Sequence, residues 1–407
     1  MDALTTPSNW QRVRLGDILE LLTDYHANGS YEILKNNVTL LKNVDFAIMI
    51  RTTNFENNDF KNDLIYIDKK AYEFLSKSKV FAGDILVNKI ANAGTAYFMP
   101  KLNQPVSLGM NLFLLRIKPS YNNLFIFKQI ANYERVLKTF ANGSATKTIT
   151  KNVIKNLLIP LPPLNEQIAI ANILSDMDRY LCSLDSLILK KESVKKALSF
   201  ELLSQRKRLK GFNQAWERVK VKDFGIIITG STPLTQISEY WNGTISWITP
   251  TDINDNKDIF NSERKITQKG LDTIRMIPKN SVLVTCIASI GKNAILRVNG
   301  ACNQQINAII PNKDFNADFI YYLIENNKQY LLGKAGVTAT YIISKQVFEE
   351  IDFFVPKDLN EQIAIANILS DLDHEIISLK NKKRQFENIK KALNHDLMSA
   401  KIRVLKK

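Results

Sequence analysis

From Ile365 onward an apolar residue recurs at every seventh position, as Ile365, Leu372, Leu379, Phe386 and Leu393. Leu369, Ile376, Ile389 and Leu397 fill places three or four residues away. On a helix this spacing draws one apolar stripe with polar flanks, the pattern of a long helix that packs in the manner of a coiled coil. Earlier in the chain Ile170, Met177, Leu184 and Leu198 keep the same frame beside Leu174, Leu181 and Ile188, interrupted by Lys191. Neither Gly nor Pro occurs from 164 to 210 or from 359 to 407, as continuous helices require. Pro160, Pro162 and Pro163 stop the segment before the first helix, Asn165 and Asp358 stand where caps are needed, and Gly211 is expected to end the first helix. Elsewhere, β-type runs (Asp84-Ile85-Leu86-Val87 and Ser281-Val282-Leu283-Val284) alternate with helical stretches such as Phe319 to Leu332 and with Gly-containing turns. The expected class is α+β.

The two stripes belong to an internal duplication. The segment Asn165 to Asp178 recurs as Asn360 to Asp373 with one change, Met177 to Leu372, at an offset of 195 residues. Lys195-Lys196-Ala197-Leu198 matches Lys390-Lys391-Ala392-Leu393 at the same offset. Upstream the halves agree only in outline. Trp10-Gln11-Arg12-Val13 matches Trp216-Glu217-Arg218-Val219, and Ile85-Leu86-Val87 with Ile90-Ala91 and Gly94 matches Val282-Leu283-Val284 with Ile287-Ala288 and Gly291. Ala145-Thr146 and Ile149-Thr150 likewise match Ala339-Thr340 and Ile343-Ser344. The expected organisation is a variable domain (1–160), a constant helix (161–211), a second variable domain (212–356) and a second constant helix (357–407).

Composition narrows the chemistry. With 407 residues, 45% of them apolar and 23% charged, the chain is that of a folded globular protein. Its net charge of +15 points to a polyanionic partner, nucleic acid or an anionic membrane face. Apolar runs such as Ile226-Ile227-Ile228 are too short to span a bilayer, and the first residues carry no basic-then-apolar leader, so no membrane association is expected. Three widely spaced cysteines, Cys182, Cys286 and Cys302, offer no disulfide framework and suit a reducing, cytoplasmic setting.

Enzyme signatures are missing. Gly291-Lys292 is followed by Asn293 and lacks the upstream Gly of a phosphate loop. The Pro162-Pro163 pair sits between leucines and is not an amino-methyltransferase loop, and His26, His374 and His395 form no ligand cluster, so no metal site or catalytic residue is assigned. Asp252 with Glu263 and Lys265 is a loose version of a nuclease metal arrangement, a pattern common in charged chains.

Basic stretches at 190–210 and 380–407 suit either a solvated helix face or a phosphate track, which supplies affinity without sequence selectivity. Selectivity needs side chains that match base edges, and candidates gather at Gly-containing turns in corresponding places. Asn88, Lys89 and Asn92 precede Gly94, while Ser289, Lys292 and Asn293 surround Gly291. Asn142, Ser144 and Lys147 flank Gly143, while Thr338, Thr340 and Tyr341 follow Gly336. Asn303-Gln304-Gln305 adds amides able to pair bidentately with adenine. Singly, each also fits an ordinary polar loop; their matching positions single out the group.

The segment Ile159-Pro160-Leu161-Pro162-Pro163-Leu164-Asn165-Glu166-Gln167-Ile168-Ala169, placed after a variable domain and repeated near the end, resembles the specificity (S) subunit of type I restriction–modification systems. Gly230-Ser231-Thr232-Pro233, Tyr240-Trp241, Trp247-Ile248-Thr249 and Asp252 strengthen the likeness, which adds Ser231, Thr232 and Thr249 to the candidate DNA contacts. Gly336, Thr338 and Ile343-Ser344-Lys345 extend it, whereas the second hinge, Val355-Pro356-Lys357-Asp358, lacks the double proline. The resemblance implies two α/β target-recognition domains separated by two long antiparallel coiled-coil-like helices, with a pseudo-two-fold internal repeat. Each domain would read one half of a bipartite double-stranded DNA site. It also implies two methylation and two restriction subunits as partners, which would carry S-adenosylmethionine, ATP and Mg²⁺, leaving no cofactor on this chain. Ile170, Leu174, Met177, Leu181, Leu184, Ile365, Leu369, Leu372, Ile376 and Leu379 would form the helix-pair and partner interface. On this view one extra helical turn near Ser199 lengthens the unread spacer by one or two base pairs, because the helices set the gap. Alternatives are a coiled-coil scaffold with two protein-binding domains, or a stand-alone nuclease using Asp252, Glu263 and Lys265.

Overall fold

The computed structural model describes residues 9–141, 147–254, 256–337 and 340–404. The chain forms two compact units, one of residues 1–183 with 384–407 and one of residues 184–383. Each unit therefore contains one of the two variable domains and a stretch of both long helices.

In the first unit an antiparallel sheet runs in the order Leu19–Asp24, Leu112–Ile117, Ile85–Asn88, Ala96–Phe98. A second sheet has the order Tyr66–Ile67, Ala47–Ile50, Val106–Leu108, Lys79–Val80, with its two central strands parallel. The second unit repeats this plan. Gly225–Thr229, Ile306–Pro311, Ser281–Thr285 and Asn293–Leu296 form the antiparallel order, and Asp258–Ile259 adds a parallel edge. Lys265–Ile266, Trp241–Ile248 and Gly300–Cys302 make the companion sheet, again with one parallel pair. Ile85–Asn88 and Ser281–Thr285 are buried at every residue, so they read as continuous apolar runs without alternation. In each half an Asn caps the helix behind the sheet. Asn122 accepts the Phe125 amide N–H at 2.8 Å and Asn316 that of Phe319 at 2.9 Å, placing both phenyl rings in the core with no exposure.

The long helices are Leu164–Leu203 and Leu359–Met398, 40 residues each, or about 60 Å at 1.5 Å per residue. The first closes at Leu203 and not at Gly211, because Gln205 turns into the left-handed region (φ 62°) and Leu202 and Leu203 are drawn into the core of the second unit. Within each unit the helical segments run antiparallel. In the first unit Lys390 pairs with Asp178, and the Tyr180 and Phe386 rings lie 4.6 Å apart. In the second, Asp185 meets Lys383 at 2.5 Å, Glu192 meets Lys380 at 2.6 Å and Lys191 meets Glu375 at 2.7 Å. Part of each basic run, Lys191 and Lys195 on one helix and Lys380, Lys383 and Lys390 on the other, thereby pairs with the opposite helix. Exposed pairs of this kind contribute about 0–1 kcal/mol each, so their work is to set register and direction.

The apolar stripe divides along its length. Ile170 and Leu174 lie in the core of the first domain, and Ile365 and Leu369 in that of the second, so these four are domain-core residues as well as helix-pair residues. Leu184, Ile188 and Ile376 are buried farther along, whereas Met177, Leu181, Leu372 and Leu379 are only half-buried. Ile389, expected on the stripe, is 51% exposed. Ser199 lies between the Lys195–Asp373 and Arg208–Glu361 pairs of one unit, so an insertion there disturbs packing and is not a clean change of spacing.

The repeated Asn-Glu-Gln explains itself in three dimensions. Asn165 accepts the Glu166 amide N–H at 2.9 Å, and Asp358 does the same for Asn360 at 2.8 Å. Glu166, 2% exposed, takes a two-pronged bond from Arg403 (2.7 and 3.0 Å), and Glu361, 1% exposed, takes one from Arg208 (2.7 and 3.2 Å). Gln167 donates to the Pro162 carbonyl at 2.8 Å and accepts the Asn122 N–H; Gln362 donates to the Pro356 carbonyl at 3.0 Å and accepts the Asn316 N–H. The same glutamine clamp thus closes both hinges, and the missing second proline leaves the turn intact.

Candidate nucleic-acid interface

In the second unit four turns are stitched together by backbone bonds. Gly230 donates to the Ile306 carbonyl and Ser231 to that of Cys302 at 2.8 Å; Asn303 donates to the Ile248 carbonyl, and Cys286 to that of Gln305. A Cβ at position 230 would lie 2.1 Å from the Asn303 carbonyl oxygen, so only glycine lets these strands approach. This joins Ser231, Thr232, Thr249, Asn303 and Gln304, distant in sequence, into one patch. The Thr232 hydroxyl donates to the Gln304 side-chain carbonyl at 2.6 Å, leaving the Gln304 amide exposed. Asn303 is turned inward: its side-chain amide bonds Gln305 in both directions, at 3.0 and 3.1 Å.

The turn after Ser281–Thr285 joins this patch. Ile287 bridges to Ile342, and Ala288 donates to the Tyr341 carbonyl, so Tyr341 (47% exposed) and Thr340 border Ser289 and the exposed Lys292. Asn293 faces the interior, 3% exposed and donating to Glu325 at 3.0 Å. In the first unit Ile90 bridges to Thr148, the same juxtaposition. Both turns carry a left-handed alanine followed by a left-handed glycine, Ala91 and Gly94 (φ 66° and 93°) in one, Ala288 and Gly291 (62° and 79°) in the other. A non-glycine residue held there costs about 1–3 kcal/mol, and such strain gathers at functional turns.

The first unit's turn is more self-contained. Asn88 is buried and accepts the Thr52 hydroxyl at 3.2 Å, Lys89 reaches Asp24 at 3.2 Å, and Asn92, exposed, donates to Glu56 at 3.3 Å. Lys147 is exposed; Asn142 and Ser144 lie outside the described residues, as does Thr338. Asp24 also binds Lys151 at 3.0 Å. Burial pushes its pKa up, but Lys151 and Lys89 outweigh that and hold it below its ordinary value of 3.8. A folded pKa lowered in this way stabilises above 3.8 and loses the contribution as pH falls through the folded value. Asp24→Asn is therefore expected to melt below the parent chain at pH 7, with the gap closing from pH 3.8 downward in thermal scans. A gap independent of acid would show that the two lysines do not depend on this charge.

The feature that the sequence patterns did not single out is Arg264. Its guanidinium lies 4.2 Å from the centre of the Trp241 ring and 4.8 Å from that of Trp247, and the two indoles meet edge to face at 5.1 Å. The Trp247 indole N–H donates to the Ser231 carbonyl at 3.0 Å, which ties this cluster to the patch. Asp252, which a nuclease would need for metal, has both oxygens occupied by protein donors: Thr249 N–H and hydroxyl on one, Glu263 N–H on the other. Among the described residues no helix is long and apolar enough to cross a membrane.

Comparison with known proteins adds identity to this geometry. The putative type I restriction enzyme MjaX specificity subunit of Methanocaldococcus jannaschii is 29% identical over 97% of both chains. The MjaIX specificity subunit of the same organism is 36% identical, over 43% of this chain and 41% of its own length. Among solved structures, the type I restriction–modification S subunit from M. genitalium superposes with a TM-score of 0.61, at 16% identity and 97% coverage of both chains. A structure described as underlying complex assembly and conformational transition of the type I restriction–modification system gives 0.54, at 16% identity over 97% of this chain and 98% of that one. The family model for the type I restriction modification DNA specificity domain matches residues 7–191 and again 213–388, so the chain belongs to that family, twice over.

Proposed function

We propose that this chain is the DNA-recognition subunit of a type I restriction–modification complex. Each recognition domain reads one half of a bipartite, asymmetric duplex site, and the chain directs methylation and restriction subunits to that site. One observation carries the reading: the two halves repeat their folds, hinges and helices while their loop side chains differ. A near-identical pair of helices suits docking one kind of partner twice, and unlike loops suit two different half-sites. The proposal includes two methylation and two restriction subunits per chain, and the duplicated helices support it by offering two like docking faces to the methylation partner. S-adenosylmethionine, ATP and Mg²⁺ belong on those partners, the chain itself contributing recognition and no catalysis, in the cytoplasm.

The test is to express the chain with its methylation partner in a host free of DNA methylation and to sequence the methylome. Two short specified stretches separated by a constant unread gap are expected. In parallel, duplex affinity should fall linearly in a log–log plot against salt, as counterion release demands. A single uninterrupted motif defeats the bipartite reading. Absence of duplex binding at every salt concentration, with the partner present, points instead to a protein-binding scaffold.

A further inference from the structure

We infer that Arg264 is a specificity-determining residue of the second recognition domain, a fixed fork that reads a guanine. The inference rests on the DNA-recognition reading above and adds to it a residue and a base. Arg264 is exposed, and among the described residues no hydrogen bond or ion pair engages its guanidinium. Its guanidinium carbon lies instead beside both indoles, 4.2 Å from the centre of the Trp241 ring and 4.8 Å from that of Trp247. A cation–π contact satisfies none of the five N–H donors with an acceptor atom, so a guanidinium held by rings keeps donors for a ligand.

The indoles that hold it are themselves held. The Trp241 N–H donates to the Leu234 carbonyl at 3.3 Å and the Trp247 N–H to that of Ser231 at 3.0 Å, while the Trp247 main-chain N–H donates to the Arg264 carbonyl at 3.2 Å. Trp247 is 3% exposed, so the platform is part of the domain and not a mobile flap. A phosphate contact needs only a nearby cation and is served by flexible lysines. A planar fork held beside two anchored rings is suited to the paired acceptors O6 and N7 of guanine in the major groove. One neighbour suits a base edge too: Gln304 is exposed, and the Thr232 hydroxyl, by donating to its side-chain carbonyl, orients its amide.

The test uses the complex of the full chain with its methylation partner and the duplex carrying the site found by methylome sequencing. Each guanine of that duplex is replaced in turn by 7-deazaguanine, which lacks the N7 acceptor. At one position in one half-site the parent complex should lose affinity. Arg264→Ala should lose roughly 5- to 150-fold on the cognate duplex, become indifferent to the 7-deaza change at that position, and accept other bases there. Arg264→Lys, which keeps the charge but not the fork, should restore little of the selectivity. If every 7-deaza duplex binds the parent complex normally, the inference fails without any variant having to fold. It fails equally if Arg264→Ala weakens cognate and random duplexes alike, which marks a phosphate contact, or if it changes nothing. In all three cases DNA recognition itself stands; only a parent complex that binds no duplex would remove both.

Discussion

Replacing Glu361 with alanine should destabilise the second unit by about 3 kcal/mol or more, one of the two largest effects expected of single changes in this chain. The carboxylate is 1% exposed and answers three donors, two from Arg208 and one from the Trp216 indole at 3.3 Å. Removing one partner of a buried pair costs about 3–5 kcal/mol, because the other charge stays behind unpaired. Arg208 keeps 29% side-chain exposure, so water recovers part of its loss and the lower end applies. The Trp216 N–H is buried and has no such recourse, which adds about 1 kcal/mol or more. Glu166→Ala should cost less. Arg403 is similarly placed at 31% exposure, but the corresponding Trp10 N–H is already buried without a partner, so nothing further is forfeited. Denaturant unfolding followed by tryptophan fluorescence checks this, with separate transitions fitted because two units need not unfold as one. Equal midpoints for both variants and the parent would show that these pairs do not hold the hinges.

Leu174→Ala and Leu369→Ala should each cost about 2–5 kcal/mol, whereas Leu181→Ala should cost far less and Leu189→Ala almost nothing. Leu174 and Leu369 have no exposed surface and sit among the cores of the first and second domains, so truncation leaves a cavity that the surrounding sheet and helices cannot fill. Leu181 is half-buried and Leu189 is 64% exposed. If the helices were a uniform zipper, all stripe positions would respond alike. A graded response that follows each residue's burial, largest at Leu174 and Leu369, read by thermal scanning, identifies these first turns as parts of the domains they follow. A flat response would restore the zipper.

That gradient illustrates how far one-dimensional patterns reach. The seven-residue period and the lack of Gly and Pro located both helices to within their first residues, since helix formation and its interruption are local properties. The far end of the first helix is not legible in this way: Gly211 is the local stop signal, whereas tertiary packing of Leu202 and Leu203 ends the helix earlier. Among the candidate contacts, position in matching turns was legible, but direction was not. Asn88 and Asn293 point inward and Lys292 outward, although all three are polar residues in Gly-containing turns. Arg208 and Arg403 do share the 195-residue offset of the repeat, a signal that could have marked them as partners of the repeated glutamates.

By itself, then, the order of amino acids determined the duplication, the α+β class, the pair of long helices and a basic chain made for a polyanion, because periodicity, repetition and net charge are all properties of a line. The tertiary structure alone decided which groups meet. Glu166 finds an arginine 237 residues away, a lysine run becomes a set of ion pairs that fixes antiparallel register, and Arg264 comes to rest on two indoles from another strand. Such meetings depend on how strands pair and helices return, and no local pattern records them, since a buried or stacked charge is worth what its neighbours in space make of it.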